Sequence, residues 1–189
     1  MSDVKNVYDY TEGVKLPERP FLSNEEYGKA IRATLLPCTD CLILNKEKQI
    51  VFFPVRIAET GAGYWFIGGV IKAQVEPLEN LVNCFKRETG LEVESKRFKR
   101  INLVDGNGLP VRTLWPTGRN DMHFIFYIEL TPREIKKVEE NLDPQEYDKE
   151  AGLREFTLPE LKQVGVRDIV IDAVELAFRH IGNIEKKNP

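Results

Sequence analysis

The chain has little of what most readily announces a function. Its 189 residues include three cysteines and two histidines. An odd cysteine count argues against a disulfide framework. Cys38 and Cys41 have CxxC spacing, but zinc needs two further ligands and a redox motif belongs at a helix N-terminus, whereas LLPCTDCLIL reads as a strand. The pair is therefore expected to be two small buried residues. No apolar run reaches the roughly 18 residues of a membrane span. The start, MSDVKNVYDYTEG, lacks the basic and apolar regions of a secretory signal, so a cytoplasmic location is expected. Net charge is −3 with acids and bases interspersed, which leaves no electrostatic footprint for nucleic acid or an anionic membrane. There is no internal repeat.

What is present is the composition of a soluble globular protein, 42% hydrophobic and 30% charged, at a length that buries one core. Residues 1–20 are polar, contain Pro17 and Pro20, and are expected to form an arm ahead of a single domain over 21–189. Ser23-Asn-Glu-Glu26 is a capping box and opens a short helix ending before Pro37. The apolar runs Thr39 to Leu44 and Gln49 to Val55, separated by Asn45-Lys-Glu-Lys, predict a hairpin. Tyr64 to Ile67 predicts a brief strand entering a loop at Gly68-Gly69. From Pro77, the residues Leu78, Leu81, Val82 and Phe85 recur at helical spacing, and Gly90 suits the C-terminal cap. Strands are expected at Arg97 to Val104 and Met122 to Leu130, flanking a Gly- and Pro-rich segment, DGNGLPVRTLWPTGRND. Thr131 and Thr157 start two more capping boxes, and a last helix spans about Arg167 to His180, which would answer the helix dipole. Strands mix with helices without regular alternation, so the expected class is α+β or a mixed α/β sandwich.

Glycines before a helix let backbone groups approach a cation or a phosphate. Counted from Gly69 and closing on Glu88-Thr-Gly-Leu91, this stretch resembles the signature of Nudix hydrolases, G-x5-E-x7-R-E-U-x-E-E-x-G-U. Val75, Asn83, Cys84 and Arg87 stand where that signature has Glu, Arg, Glu and Glu, so Glu88 is the one acid retained. Glu79 lies on the other side of the helix from Glu88 and Glu76 is about 18 Å away along the axis, so neither replaces the lost acids.

The pattern of loss resembles the GDP-mannose mannosyl hydrolase branch, as do LSNEEY, IRAT, the spacing from Asp40 through Arg56 to GYWF, and His123 opening HFIFYIEL. The resemblance implies a Nudix-like α/β/α sandwich with a mixed β-sheet and a homodimer. It also implies magnesium-dependent release of sugar and nucleoside diphosphate by attack at the sugar C1. It casts His123 as general base, Asp40 and Arg56 as further catalytic residues, and Glu88 with a carbonyl of Gly68 or Gly69 as the metal site. Displacing a diphosphate needs charge neutralised on the leaving group and a base for the water proton, tasks suited to a cation, a guanidinium and a histidine. Arg112, Trp115 and Arg119 of the long segment offer flat and forked surfaces for a base or phosphate. Val70 and Met122 replace an arginine and a glutamine of that branch, which favours the alternative: an inactive Nudix-fold module that binds a nucleotide or nucleotide sugar. An ordinary diphosphate-cleaving enzyme fits the helix least.

Overall fold

The computed structural model describes residues 23–57, 62–72, 75–101, 111–114 and 120–187. The expected arm over 1–20 lies outside them, as do Trp115 and Arg119. The first capping box forms as expected: Ser23 Oγ accepts from Glu26 N, Glu26 Oε2 accepts from Ser23 N at 2.9 Å, and α1 runs Asn24–Ala33. The hairpin is β1, Leu35–Asn45, and β2, Ile50–Arg56, antiparallel with Ile43 opposite Phe52. Asn45 Oδ1 accepts from Lys48 N at 3.0 Å, the turn chemistry of asparagine. β1 begins four residues earlier than the apolar run, because Pro37 is accommodated near its start, where its carbonyl still accepts from Ile71 N.

β1 is the axis of a mixed sheet. It lies parallel to β7 (Asn120–Glu129) in a register from Leu35 opposite Asn120 to Leu44 opposite Glu129. It also pairs antiparallel with β4 (Ile67–Val70). β3 (Gly63–Tyr64) and β8 (Leu153–Thr157) pair with β2, while β5 (Lys99–Arg100) and β6 (Val111–Leu114) pair with β7. Two elements escaped the sequence reading: β8 is too short for its alternation to stand out, and β6 lies inside the segment read as a loop. The strand expected over Arg97 to Val104 is a 3-10 turn at Ser95–Arg97 followed by the two residues of β5, and 102–104 lie outside the described residues.

Alternation along β1 sends Leu42 and Leu44 to one face and Cys41 and Ile43 to the other. The first face packs with Ile125, Tyr127, Trp65 and the buried stripe Val170, Ala173, Val174, Ala177 of α5 (Asp168–Lys187). The second packs with Phe126, Ile128 and the residues Leu81 and Phe85 of α2 (Pro77–Thr89). Helices on both faces of a mixed sheet make the α/β/α sandwich. Cys38, Cys41 and Cys84 are all buried. α5 runs seven residues past His180, so the helix-dipole role expected for His180 does not apply, since that effect is confined to the last turn.

α3 (Pro132–Asn141) and α4 (Leu158–Gln163) both start on the expected threonine capping boxes. In the first, Glu134 also grips Arg97, at 2.5 and 3.1 Å, and the Arg97 hydrogen bonds hold its carboxyl down to about 2. A depressed carboxylate stabilises the fold above its ordinary value of 4.5, and that contribution fades as pH falls from 4.5 toward 2. Glu134→Gln is expected to cost about 1 kcal/mol at pH 7, since solvent screens a pair so near the surface. The deficit should shrink between pH 5 and 3 in urea melts, and a pH-independent deficit would contradict the ion-pair account.

Candidate functional site

α2 forms because Pro77 suits its first turn, its apolar residues fall on one stripe, and Gly90 ends it in the left-handed conformation (φ 63°), its N–H bonding to Lys86 O. Glu88 is seven residues after Leu81 and three after Phe85, so it shares their side of the helix. It flanks the apolar stripe and is nonetheless only 2% exposed. The segment following α3 closes over that margin: Asp143 N donates to the Glu88 carbonyl at 2.9 Å and the Tyr147 hydroxyl donates to Glu88 Oε2 at 2.5 Å.

The Glu88 carboxylate has three donors. Tyr147 and, at 3.3 Å, the Gly68 amide serve Oε2, and Arg87 Nη2 serves Oε1 at 2.5 Å. Burial is the largest influence on its pKa and pushes it above the usual value, with Tyr147, Arg87 and Gly68 pulling the other way without cancelling it. The Tyr147 hydroxyl is pushed well up by its own burial and then by Glu88, so it remains a donor. The two glycines read as a loop are part of β4, with Asp40 opposite Gly68 and Thr39 opposite Gly69. Their role is close approach. A Cβ on Gly68 would lie 2.0 Å from the Thr39 carbonyl oxygen, and one on Gly69 would lie 3.6 Å from Cys84 Sγ and 3.9 Å from Arg87 Nη2. The start of α2 is tied to β1 and to the segment after β4 by buried Asn80, whose Nδ2 donates to Thr39 Oγ1 at 2.9 Å and whose Oδ1 accepts from Lys72 N at 3.2 Å.

Arg56 reaches this cluster from the end of β2. Its backbone bridges Tyr147, and its Nη2 pairs with Glu146 Oε2 at 2.9 Å. Among the described residues, Arg56 Nε is buried without a hydrogen-bond partner. The ion pair of Arg56 is with Glu146 and not with Asp40. Instead, Asp40 Oδ2 lies 2.6 Å from His123 Nδ1, both side chains being almost fully buried. Asp40 and His123 have the parity of Leu42 and Ile125, so they stand on the α5 face, where the Trp65 ring is 6.3 Å from that of His123. Glu88, Arg87 and Tyr147 stand on the α2 face. The fold thus gathers Glu88, Gly68, Gly69 and Arg56 in one place and Asp40 with His123 in another. Arg112 sits on β6 opposite Met122, and the rest of the long segment's candidates lie outside the described residues.

The donor set does not fit a divalent cation. A hard dication needs about six oxygen ligands, several of them anionic. Here Gly68 directs an N–H, not a carbonyl, at the one retained acid, and Arg87 covers that acid's other oxygen. Cys84, at another acid position of the signature, has its thiol pushed up in pKa by burial, which disfavours the thiolate. Among the described residues no three His, Cys, Asp or Glu side chains are grouped to hold a metal, and no helix is long and apolar enough to cross a membrane. Tyr147 and Arg87 were missed as site residues. Tyr147 lies 59 positions from Glu88 with no local signal. Arg87 did carry one, a cation in place of an acid.

No family's sequence profile and no curated protein matches the chain by sequence. Solved structures do match in three dimensions. The MutT Nudix hydrolase of Burkholderia pseudomallei superposes with a TM-score of 0.55 at 17% identity, over 76% of this chain and 98% of that one. The MutT protein of Methanosarcina mazei Go1 superposes at 0.54 and 14%, over 78% and 95%. A Nudix hydrolase of Nitrosomonas europaea gives 0.51 and 14%, over 79% and 90%. The mixed sheet, the glycine strand and the helix closing on Glu88-Thr-Gly-Leu91 therefore belong to one architecture, and this chain has the Nudix fold.

Proposed function

We propose that this chain binds a nucleoside diphosphate or its sugar conjugate, of the GDP-mannose kind, at the Glu88 cluster, without metal-assisted cleavage of the diphosphate. The observation that carries this reading is the occupation of both Glu88 oxygens by three donors, Tyr147, Gly68 and Arg87. A carboxylate offers about four acceptor directions, so little remains with which to organise a metal and its water. Arg56 and Arg87 supply the cationic forks that phosphate oxygens accept, and the unpartnered Arg56 Nε is a donor in want of an acceptor.

Calorimetric titration with GDP-mannose, UDP-glucose and ADP-ribose, in EDTA and in magnesium, tests it. At least one is expected to bind without turnover, equally in both buffers. No binding in either buffer would sink the proposal, and products of sugar phosphate and nucleoside monophosphate would too.

A second reading, the magnesium-dependent hydrolysis of a nucleoside diphosphate sugar at C1, is favoured by the Asp40–His123 pair. A carboxylate on Nδ1 orients the ring and leaves Nε2 as the base. It requires substrate to reach a ring that is 2% exposed on the sheet face opposite Glu88. Free sugar plus diphosphate among the products would establish it, and His123→Ala should then lower the rate about 10²-fold or more.

A further inference from the structure

Arg87 stands in this cluster where the Nudix signature has an acid. Its Nη2 meets Glu88 Oε1 at 2.5 Å and lies 3.9 Å from where a Gly69 side chain would begin. The guanidinium therefore spans the gap between the buried acid on α2 and the glycine strand β4. A cation bridging the acid to that strand would have to sit in the same gap. The charges agree with this placement. Glu88 is neutralised by Arg87 and Glu146 by Arg56, so the cluster presents no surplus negative charge to attract a dication. The Arg87 side chain is 52% exposed while that of Glu88 is 2% exposed. The guanidinium thus meets the acid with Nη2 while about half of the side chain stays open to solvent, and a guanidinium carries five donors in all.

We propose that the Arg87 guanidinium replaces the divalent cation at Glu88, acting as a built-in, non-dissociable counter-charge that makes this site independent of metal. The inference rests on the nucleotide-binding reading only for its purpose: phosphate oxygens would meet the Arg87 fork where they would otherwise meet a metal. The assignment of Arg87 to the cation's position is a claim about the protein without ligand, and it is tested there.

The probe is Mn2+ alone, followed by the loss of the free-ion paramagnetic resonance signal on titration into the intact chain. The parent protein is expected to leave the signal unchanged at millimolar Mn2+. Arg87→Glu, which restores a second acid beside Glu88, should gain one site with at least about tenfold higher affinity than the parent. Adding Glu88→Gln to that variant should abolish the gain. Stoichiometric Mn2+ binding by the parent that Glu88→Gln removes would overturn the proposal, whether or not the Arg87 variant folds. A folded Arg87→Glu protein, verified by circular dichroism, that gained no site would also overturn it. If Mn2+ behaves as expected and no nucleotide binds, the functional reading fails and the role of Arg87 stands.

Discussion

Gly68→Ala is expected to destabilise the protein by at least about 3 kcal/mol, the upper range of overpacking, and its neighbour Gly69→Ala by less than about 1 kcal/mol. The contrast comes from what a new methyl group would meet. At Gly68 it would fall 2.0 Å from the Thr39 carbonyl oxygen and 2.9 Å from the Asp40 Cα, both backbone atoms of the central strand β1, which cannot rotate away. At Gly69 the nearest atom is Cys84 Sγ at 3.6 Å, an ordinary contact. Gly68 also carries the amide that donates to Glu88, so any retreat of β4 from β1 would loosen the cluster along with the sheet. Chemical denaturation of the two single variants decides the matter. Equal stability losses would mean that the close β1–β4 approach does not constrain Gly68.

Tyr147→Phe is expected to cost about 2–3 kcal/mol at pH 8 and clearly less at pH 5, because it removes a hydroxyl that serves a buried carboxylate. The direction of the pH effect follows from Glu88. Burial already raises its folded pKa above 4.5, so the ionised form is a burden to the fold that is absent below 4.5 and fully present above the folded pKa. Tyr147 is the largest of the contacts that relieve the burden. Without its hydroxyl the folded pKa rises further, and the variant loses stability as pH climbs through that wider window. Urea melts across pH 5 to 8 are the measurement, and parallel curves for parent and variant would show that Glu88 does not depend on Tyr147 as described.

Much of the fold was legible in local chemistry. Ser23, Thr131 and Thr157, each with an acid three residues on, marked three helix starts, and Gly90 marked a helix end, because those signals act through backbone groups of neighbouring residues. Elements that failed to show were those whose pattern is short or depends on a distant strand. β6 and β8 have four and five residues and owe their state to pairing with β7 and β2. The glycines of β4 read as a loop because a strand without side chains has no alternation to read.

Residue order alone thus specified the class of fold, the amphipathic helix with its single retained acid, and the cation at position 87. These are matters of residue type and spacing along one chain. It took the folded chain to show that Asp40 is held by His123, that Glu88 is buried under Tyr147, and that these two pairs occupy opposite faces of the sheet. Such partnerships join residues 59 and 83 positions apart. Their physical cause is strand register and the packing of α2 against β1, neither of which any local window contains.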